Sequence, residues 1–140
     1  MMEELKKNGK IIRVYDSCCG TGGMLIGAIN HMQSDRLAYG KIFGQEVIKA
    51  TSSIARMNLF LHGASDFQIA KGDTLNDPKF IENGKLKTFD CVIANPPFSL
   101  KDWGADRFEH DRYGRNMWGT PSDSSADFAW IQHMVASMKP

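Results

Sequence analysis

The chain has 140 residues, a formal net charge of +1, 42% apolar residues and 24% charged residues. These values fit one globular domain with a real core and exclude a disordered chain, which would be less hydrophobic and more charged. They also exclude a protein that grips a polyanion by bulk positive charge alone, so any contact with nucleic acid must be local or shared.

In chain order, "MMEELKKNGK" is a polar lead-in over residues 1–10 with no signal-like hydrophobic stretch. No apolar run reaches the length of a membrane span. Cys18 and Cys19 are adjacent and Cys91 is distant, which gives neither an even disulfide framework nor a C-x-x-C pair. They read as reduced thiols, and the expected location is the cytoplasm.

Four apolar segments bounded by turn residues predict strands at residues 11–16, 41–47, 67–73 and 89–95. Leu25, Ala28, Ile29 and Met32 predict a helix after the first strand. Ala50, Ile54, Met57 and Leu61 predict a second helix with that stripe as its apolar face, closed by Gly63. "SSADFAWIQHMVASMKP" opens with Ser124 and Asp127 at capping-box spacing and places Phe128, Ile131, Val135 and Met138 on one stripe. Strands alternating with helices in this way imply an α/β fold with a parallel sheet. Residues 99–123 read as a long loop in which four bases lie among five acids. A solvated surface loop and a substrate-facing flap are both open readings of it.

Chemistry concentrates at the predicted strand ends. "DSCCGTGG" sets Asp16 before Gly20 and Gly22, with Gly23 opening the helix, so a ligand can approach backbone that carries no Cβ. A nicotinamide dinucleotide site would want a third glycine, but Leu25 stands at that position. Glu46, ending the second strand, offers two oxygens to the two hydroxyls of a ribose. Asp73, in "KGDTL", suits either an adenine amino group or a plain turn. The turn Asn95, Pro96, Pro97, Phe98 is rigid and rich in acceptors. An Asn95 oxygen and the Pro96 carbonyl could take both hydrogens of an amino group attached to a π-system and free its lone pair for attack, while Phe98 stacks on the ring. The four histidines, His31, His62, His110 and His133, are scattered without ligand spacing, and no metal site is expected.

These motifs together resemble the modification subunits of type I DNA restriction-modification systems, a family of adenine amino-methyltransferases. The resemblance rests on "DSCCGTGG", "GQE" followed by "ARMNLFLHG", "GDTL", "ANPPFS" and "ADFAWIQHMVASMKP", and covers nearly all of residues 11–140. It implies a Rossmann-like methyltransferase fold and S-adenosylmethionine as cofactor. Asp16, Cys18 and Gly20 to Gly23 would surround the methionine part, Glu46 the ribose, and Asp73, Thr74 and Leu75 the adenine. Asn95, Pro96, Pro97 and Phe98 would hold a flipped adenine of duplex DNA. Implied partners are a specificity subunit, a second modification subunit and a restriction subunit. Family members have an N-terminal helical domain and further C-terminal strands, so the expectation is a partial catalytic domain over residues 11–140, with about four parallel strands and little activity alone. N-P-P-F also marks methyltransferases acting on glutamine amides of proteins, and a noncatalytic assembly module is a third reading.

Overall fold

The computed structural model describes residues 11–34 and 39–140. The lead-in expected over residues 1–10 lies outside them. In chain order the elements are β1 (Ile11–Asp16), α1 (Gly23–Ser34), β2 (Tyr39–Glu46), α2 (Lys49–Leu61) and β3 (Phe67–Lys71). They continue with β4 (Ile81–Glu82), β5 (Lys85–Leu86), β6 (Cys91–Ile93), α3 (Ala105–Glu109) and α4 (Asp127–Ala136). No helix among the described residues is long and apolar enough to cross a membrane.

Among the described residues, four parallel strands form the main sheet in the order β3-β2-β1-β6. The chain steps outward from β1 through β2 to β3, then returns to lay β6 on the other side of β1. That reversal opens a crevice at the carboxyl ends of the strands, where α/β sheets bind ligands.

Alternation along β1 assigns the two faces. Val14 pairs with Ile42 and Tyr15 with Phe43, so each pair shares a face. On the Val14 side lie Leu25, Ile29 and Met32 of α1, Ala55 and Leu59 of α2, and Ile69 of β3. On the Tyr15 side the rings of Tyr15 and Phe89 stack with centroids 4.4 Å apart, beside Phe43 and the edge-on ring of Phe80. Burying one such side chain is worth about 1.5–3 kcal/mol, so these rings carry much of that face. A third cluster of Leu75, Trp103, Phe108, Ala126, Ala129 and Trp130 lies under segment 99–123.

Several expectations are corrected. Strand β2 ends at Glu46 and leaves out Val47, β3 ends at Lys71, and β6 has only three residues. Phe89 donates its N–H to the Ser137 carbonyl at 2.9 Å, which pulls the start of the predicted fourth strand toward the end of α4. The hairpin β4-β5 was not expected. Its turn, Asn83 at φ +53° and Gly84 at φ +74°, is the positive-φ pair that two-residue hairpins favour. Segment 99–123 is not wholly irregular, since it contains α3.

Two helices present the face opposite to the predicted one. Ala50, Ile54, Met57 and Leu61 of α2 are exposed, while Ser52, Ala55 and Leu59 are buried. Phe128, Ile131 and Val135 of α4, with Met138 beyond it, are also exposed, while Ala129, Trp130, Gln132 and His133 face inward. The inward faces mix small residues with Leu59 in α2 and with Trp130 and the hydrogen-bonding Gln132 and His133 in α4. The capping box also fails, because the Ser124 side chain makes no cap bond and Asp127 bonds elsewhere. Gly63 does close α2, at φ +79°. Its N–H bonds the Phe60 carbonyl and that of Ala64 the Leu59 carbonyl, a Schellman arrangement.

Candidate active site

The glycine turn is built from both neighbouring strands. Cys19 N–H donates to the Gln45 carbonyl at 3.0 Å and Gly22 N–H closes the turn onto the Cys19 carbonyl at 2.8 Å. Gly20 and Gly22 have φ of +53° and +88°, left-handed values that residues with a Cβ seldom adopt. Glu46 spans the gap: Oε2 accepts from Gly20 N–H at 3.0 Å and Oε1 from Ile48 N–H at 2.9 Å. Each oxygen keeps a further lone pair for a ligand.

Asp16 is buried at the base of this turn and accepts from Cys18 N–H at 3.0 Å. Burial pushes its carboxyl up to about 6; the Cys18 N–H opposes this and the charge of Glu46 adds to it. Burial and the Asp16 charge push the Cys18 thiol up to about 12, so it is protonated near neutrality. Cys18 and Asn95 line the same cavity, so the glycine turn and the Asn-Pro-Pro-Phe turn meet there.

At the third strand end Asp73 Oδ1 accepts from the N–H groups of Leu75 and Asn76 at 3.0 and 3.2 Å. Its Oδ2 accepts from Asn76 Nδ2 at 2.8 Å. This is the turn role, which the sequence left open beside the adenine role. Thr74 Oγ1 donates to the Ser17 carbonyl, fastening this loop to the glycine turn.

The four strand ends converge on one cavity of about 560 Å³. Its walls come from Ser17 and Cys18 after β1, Gln45 to Ile48 at the end of β2, Gly72 to Thr74 after β3, and Asn95 and Pro97 after β6. Leu100 to Trp103 and Trp130 close the remaining side. Of the residues expected from sequence, Cys18, Glu46, Asp73, Thr74, Asn95 and Pro97 therefore meet in one wall. Asp16, Gly20, Gly22 and Gly23 lie behind it and shape it, and Pro96 and Phe98 lie outside the wall. Phe98 is 80% exposed. The Leu75 side chain is not in that wall; it is buried with Phe108 and with Trp103 and Trp130, which close the cavity.

Sequence reasoning missed Val47 and Ile48, apolar residues left exposed just past an acid at a strand end. It also missed the way segment 99–123 is held. Arg115, buried, donates to the Thr74 and Leu75 carbonyls at 2.9 and 2.8 Å. It also donates to Asp111 Oδ1 through Nε at 3.0 Å and Nη2 at 2.7 Å. On Asp111 burial acts upward, but the bonds and charge of Arg115 outweigh it and hold the carboxyl below its ordinary value. Arg115 Nη1 also lies 3.3 Å from His133 Nδ1. A guanidinium cannot accept, so Nδ1 holds the lone pair and Nε2 carries the proton, which it donates to Tyr15 Oη at 3.0 Å. Burial, with Arg115 assisting, pushes His133 down to about 3 and keeps it neutral.

A profile of the N-6 DNA Methylase family matches residues 1–140. The chain belongs to the N-6 DNA methylase family. Among its relatives, the type I restriction enzyme MjaIX methylase subunit of Methanocaldococcus jannaschii is 30% identical over 133 residues, covering 91% of this chain and 23% of that protein. The HindI methylase subunit of Haemophilus influenzae is 32% identical over 131 residues, covering 91% of this chain and 28% of that protein. The chain thus spans about a quarter of the length of these relatives. A type I restriction-modification methyltransferase subunit from Streptococcus thermophilus superposes with a TM-score of 0.79 at 29% identity, over 91% of this chain and 27% of that one. A class I S-adenosylmethionine-dependent methyltransferase from Listeria monocytogenes shares the fold, with a TM-score of 0.71 at 22% identity over 99% of this chain and 39% of that one. The fold of this N-6 DNA methylase chain is accordingly a Rossmann-like methyltransferase sheet, present as four parallel strands.

Proposed function

We propose that this chain is the cofactor-binding and catalytic part of an adenine-specific DNA methyltransferase of a type I restriction-modification system, working with a specificity subunit and a second modification subunit. The observation that carries the reading is the convergence of Glu46, Asp73, Thr74 and Asn95 on one cavity at the carboxyl ends of four parallel strands. Its volume lies within the range of about 300–1,000 Å³ usual for small-molecule sites.

The donor set fits S-adenosylmethionine. Glu46 has spare acceptor capacity for a ribose, and Val47 and Ile48 offer apolar surface beside it for an adenine. When bound, the cofactor supplies a methyl group on a sulfonium sulfur. Asn95 Oδ1 and the Pro96 carbonyl accept the two hydrogens of the target amino group, turning its lone pair out of the ring's π-system. Phe98, exposed at the rim, presents a face on which an extruded base can stack. Segment 100–103 supplies the wall opposite, with Trp103 buried.

The test is methyl-label incorporation together with calorimetric titration against S-adenosylhomocysteine, with Glu46→Ala as control. Label in adenine of duplex DNA, and binding lost in the variant, are the expected results. Label in protein glutamine in place of DNA would transfer the site to amide methylation, and absence of binding by the folded chain would leave an assembly module.

The titration also has an expected pH profile. The ligand's ammonium group favours a charged Asp16, so below about pH 6 the site must release a proton to bind. Affinity then falls, approaching about tenfold per pH unit. Asp16→Asn flattens the profile, and a pH-independent wild type would remove Asp16 from the cofactor's electrostatics. Stability runs the other way. Because the folded-state carboxyl is raised from 3.8 to about 6, the folded chain holds this proton more tightly between those values, and the penalty of a buried Asp16 charge fades as pH falls through them.

A further inference from the structure

We infer that Asp127 is a positioning residue for the Asn-Pro-Pro-Phe turn, acting through the backbone of Ser99. The inference rests on the methyltransferase reading of that turn. Ser99 follows Phe98 directly and has φ +52°, a left-handed conformation that costs energy for a residue with a side chain. Its N–H donates to Asp127 Oδ1 at 2.8 Å.

The chain beyond the turn runs beside the start of α4. Ala126 N–H donates to the Leu100 carbonyl at 3.0 Å and Asp102 N–H to the Asp123 carbonyl at 2.9 Å. Those two bonds are backbone to backbone, and neither touches Ser99; one of them holds Asp102, which also has φ +52°. The Asp127 bond does both things they do not: it comes from a side chain, and it fixes Ser99 itself. Pro96 and Pro97 have no N–H by which the turn could be held from within. The downstream end of the turn is held instead by Ser99 N–H on Asp127. A carboxylate in the first turn of a helix is ordinarily explained by the helix's own unpaired N–H groups. Here the first N–H of α4 is taken by Ser125 Oγ at 3.4 Å, and the Asp127 oxygen is spent on the neighbouring turn instead.

Loss of this bond lets Ser99 relax toward negative φ, and the shift swings Phe98 and the Pro96 carbonyl away from the positions that receive the amino group. Binding of the cofactor uses Glu46 and the β2 end, which Asp127 does not touch.

The experiment compares Asp127→Ala, Asp127→Asn and the double variant Asp127→Ala with Ser99→Gly, in the methylation-competent protein. Single-turnover methyl transfer, S-adenosylhomocysteine affinity and hydrogen exchange at the Ser99 amide are measured. Asp127→Ala is expected to slow transfer by about 10- to 100-fold, as small misplacements of reacting groups do, with affinity unchanged and Ser99 exchange accelerated. Asp127→Asn keeps an acceptor oxygen and retains most of the rate. Glycine at position 99 restores the rate in the alanine background, because it takes positive φ without assistance. An unchanged rate in Asp127→Ala overturns the inference. So does a joint fall of rate, affinity and melting temperature that glycine does not rescue, which would make Asp127 a structural anchor only. If the parent protein transfers no methyl group to adenine, the functional reading fails separately, and exchange at Ser99 still decides whether Asp127 holds the turn.

Discussion

Asn95→Ala is expected to lower the rate of methyl transfer by about 10²- to 10³-fold while leaving S-adenosylhomocysteine affinity unchanged. Asn95 stands in the cavity wall just past β6, whereas the predicted ribose partner Glu46 ends β2, so the two functions are separable by position. The amide oxygen matters only when an amino group must surrender its conjugated lone pair, which is a demand of the reaction and not of cofactor binding. Asn95→Asp keeps an acceptor oxygen but adds charge, and should fall between wild type and alanine. Single-turnover rates with calorimetry on the same variants measure both halves. A retained rate in Asn95→Ala would remove the residue from the chemistry.

The second large effect is one of stability. The side chains of Arg115 and Asp111 are each only 3% exposed, and the guanidinium also serves the Thr74 and Leu75 carbonyls. Arg115→Met leaves a buried carboxylate without its partner, a change that typically costs about 3–5 kcal/mol and here would lower the melting temperature by roughly 10 to 20 °C. Cofactor affinity should fall as well, because the freed carbonyls belong to the loop that carries Asp73. Adding Asp111→Leu removes the orphaned charge and should recover much of the stability without recovering the affinity, since the loop carbonyls stay unpaired. Recovery of both would mean that Arg115 does nothing but neutralise Asp111. The wild-type pair also predicts acid sensitivity. Asp111 is held below its ordinary value, so its contribution is complete above about pH 4 and is lost as pH falls through the lowered folded-state value.

Much of this arrangement was legible because local chemistry dictated it. Gly20 and Gly22 needed left-handed backbone, Glu46 ended an apolar run, and two prolines after Asn95 could only end a strand. What failed were statements about direction. A stripe such as Ile54, Met57 and Leu61 fixes a helix's period but not which side meets the sheet, and in α2 Ser52, Ala55 and Leu59 took that side. Asp127 carried a helix-start signal that a neighbouring strained backbone claimed instead. The hairpin was missed although Asn83-Gly84 announced it, because its strands are two residues each and too short for alternation to register. Arg115 could not be found at all: its partners lie up to 41 residues away, and nothing local distinguishes it from the other bases of the segment.

The outward stripes give the chain a valence. Ile54, Met57 and Phe60 stand on the side of the sheet covered by α2. Phe128, Ile131 and Val135 stand on the other, where His133 of α4 meets Tyr15. A particle with one apolar patch pairs once and stops, but a particle with two on opposed faces can hand the contact on. With a net charge of +1 and a sequence pI of about 7.7, little electrostatic repulsion opposes that growth near neutral pH. Left uncovered, these faces give the chain two separate apolar contacts on opposed sides, so covering one leaves the other open.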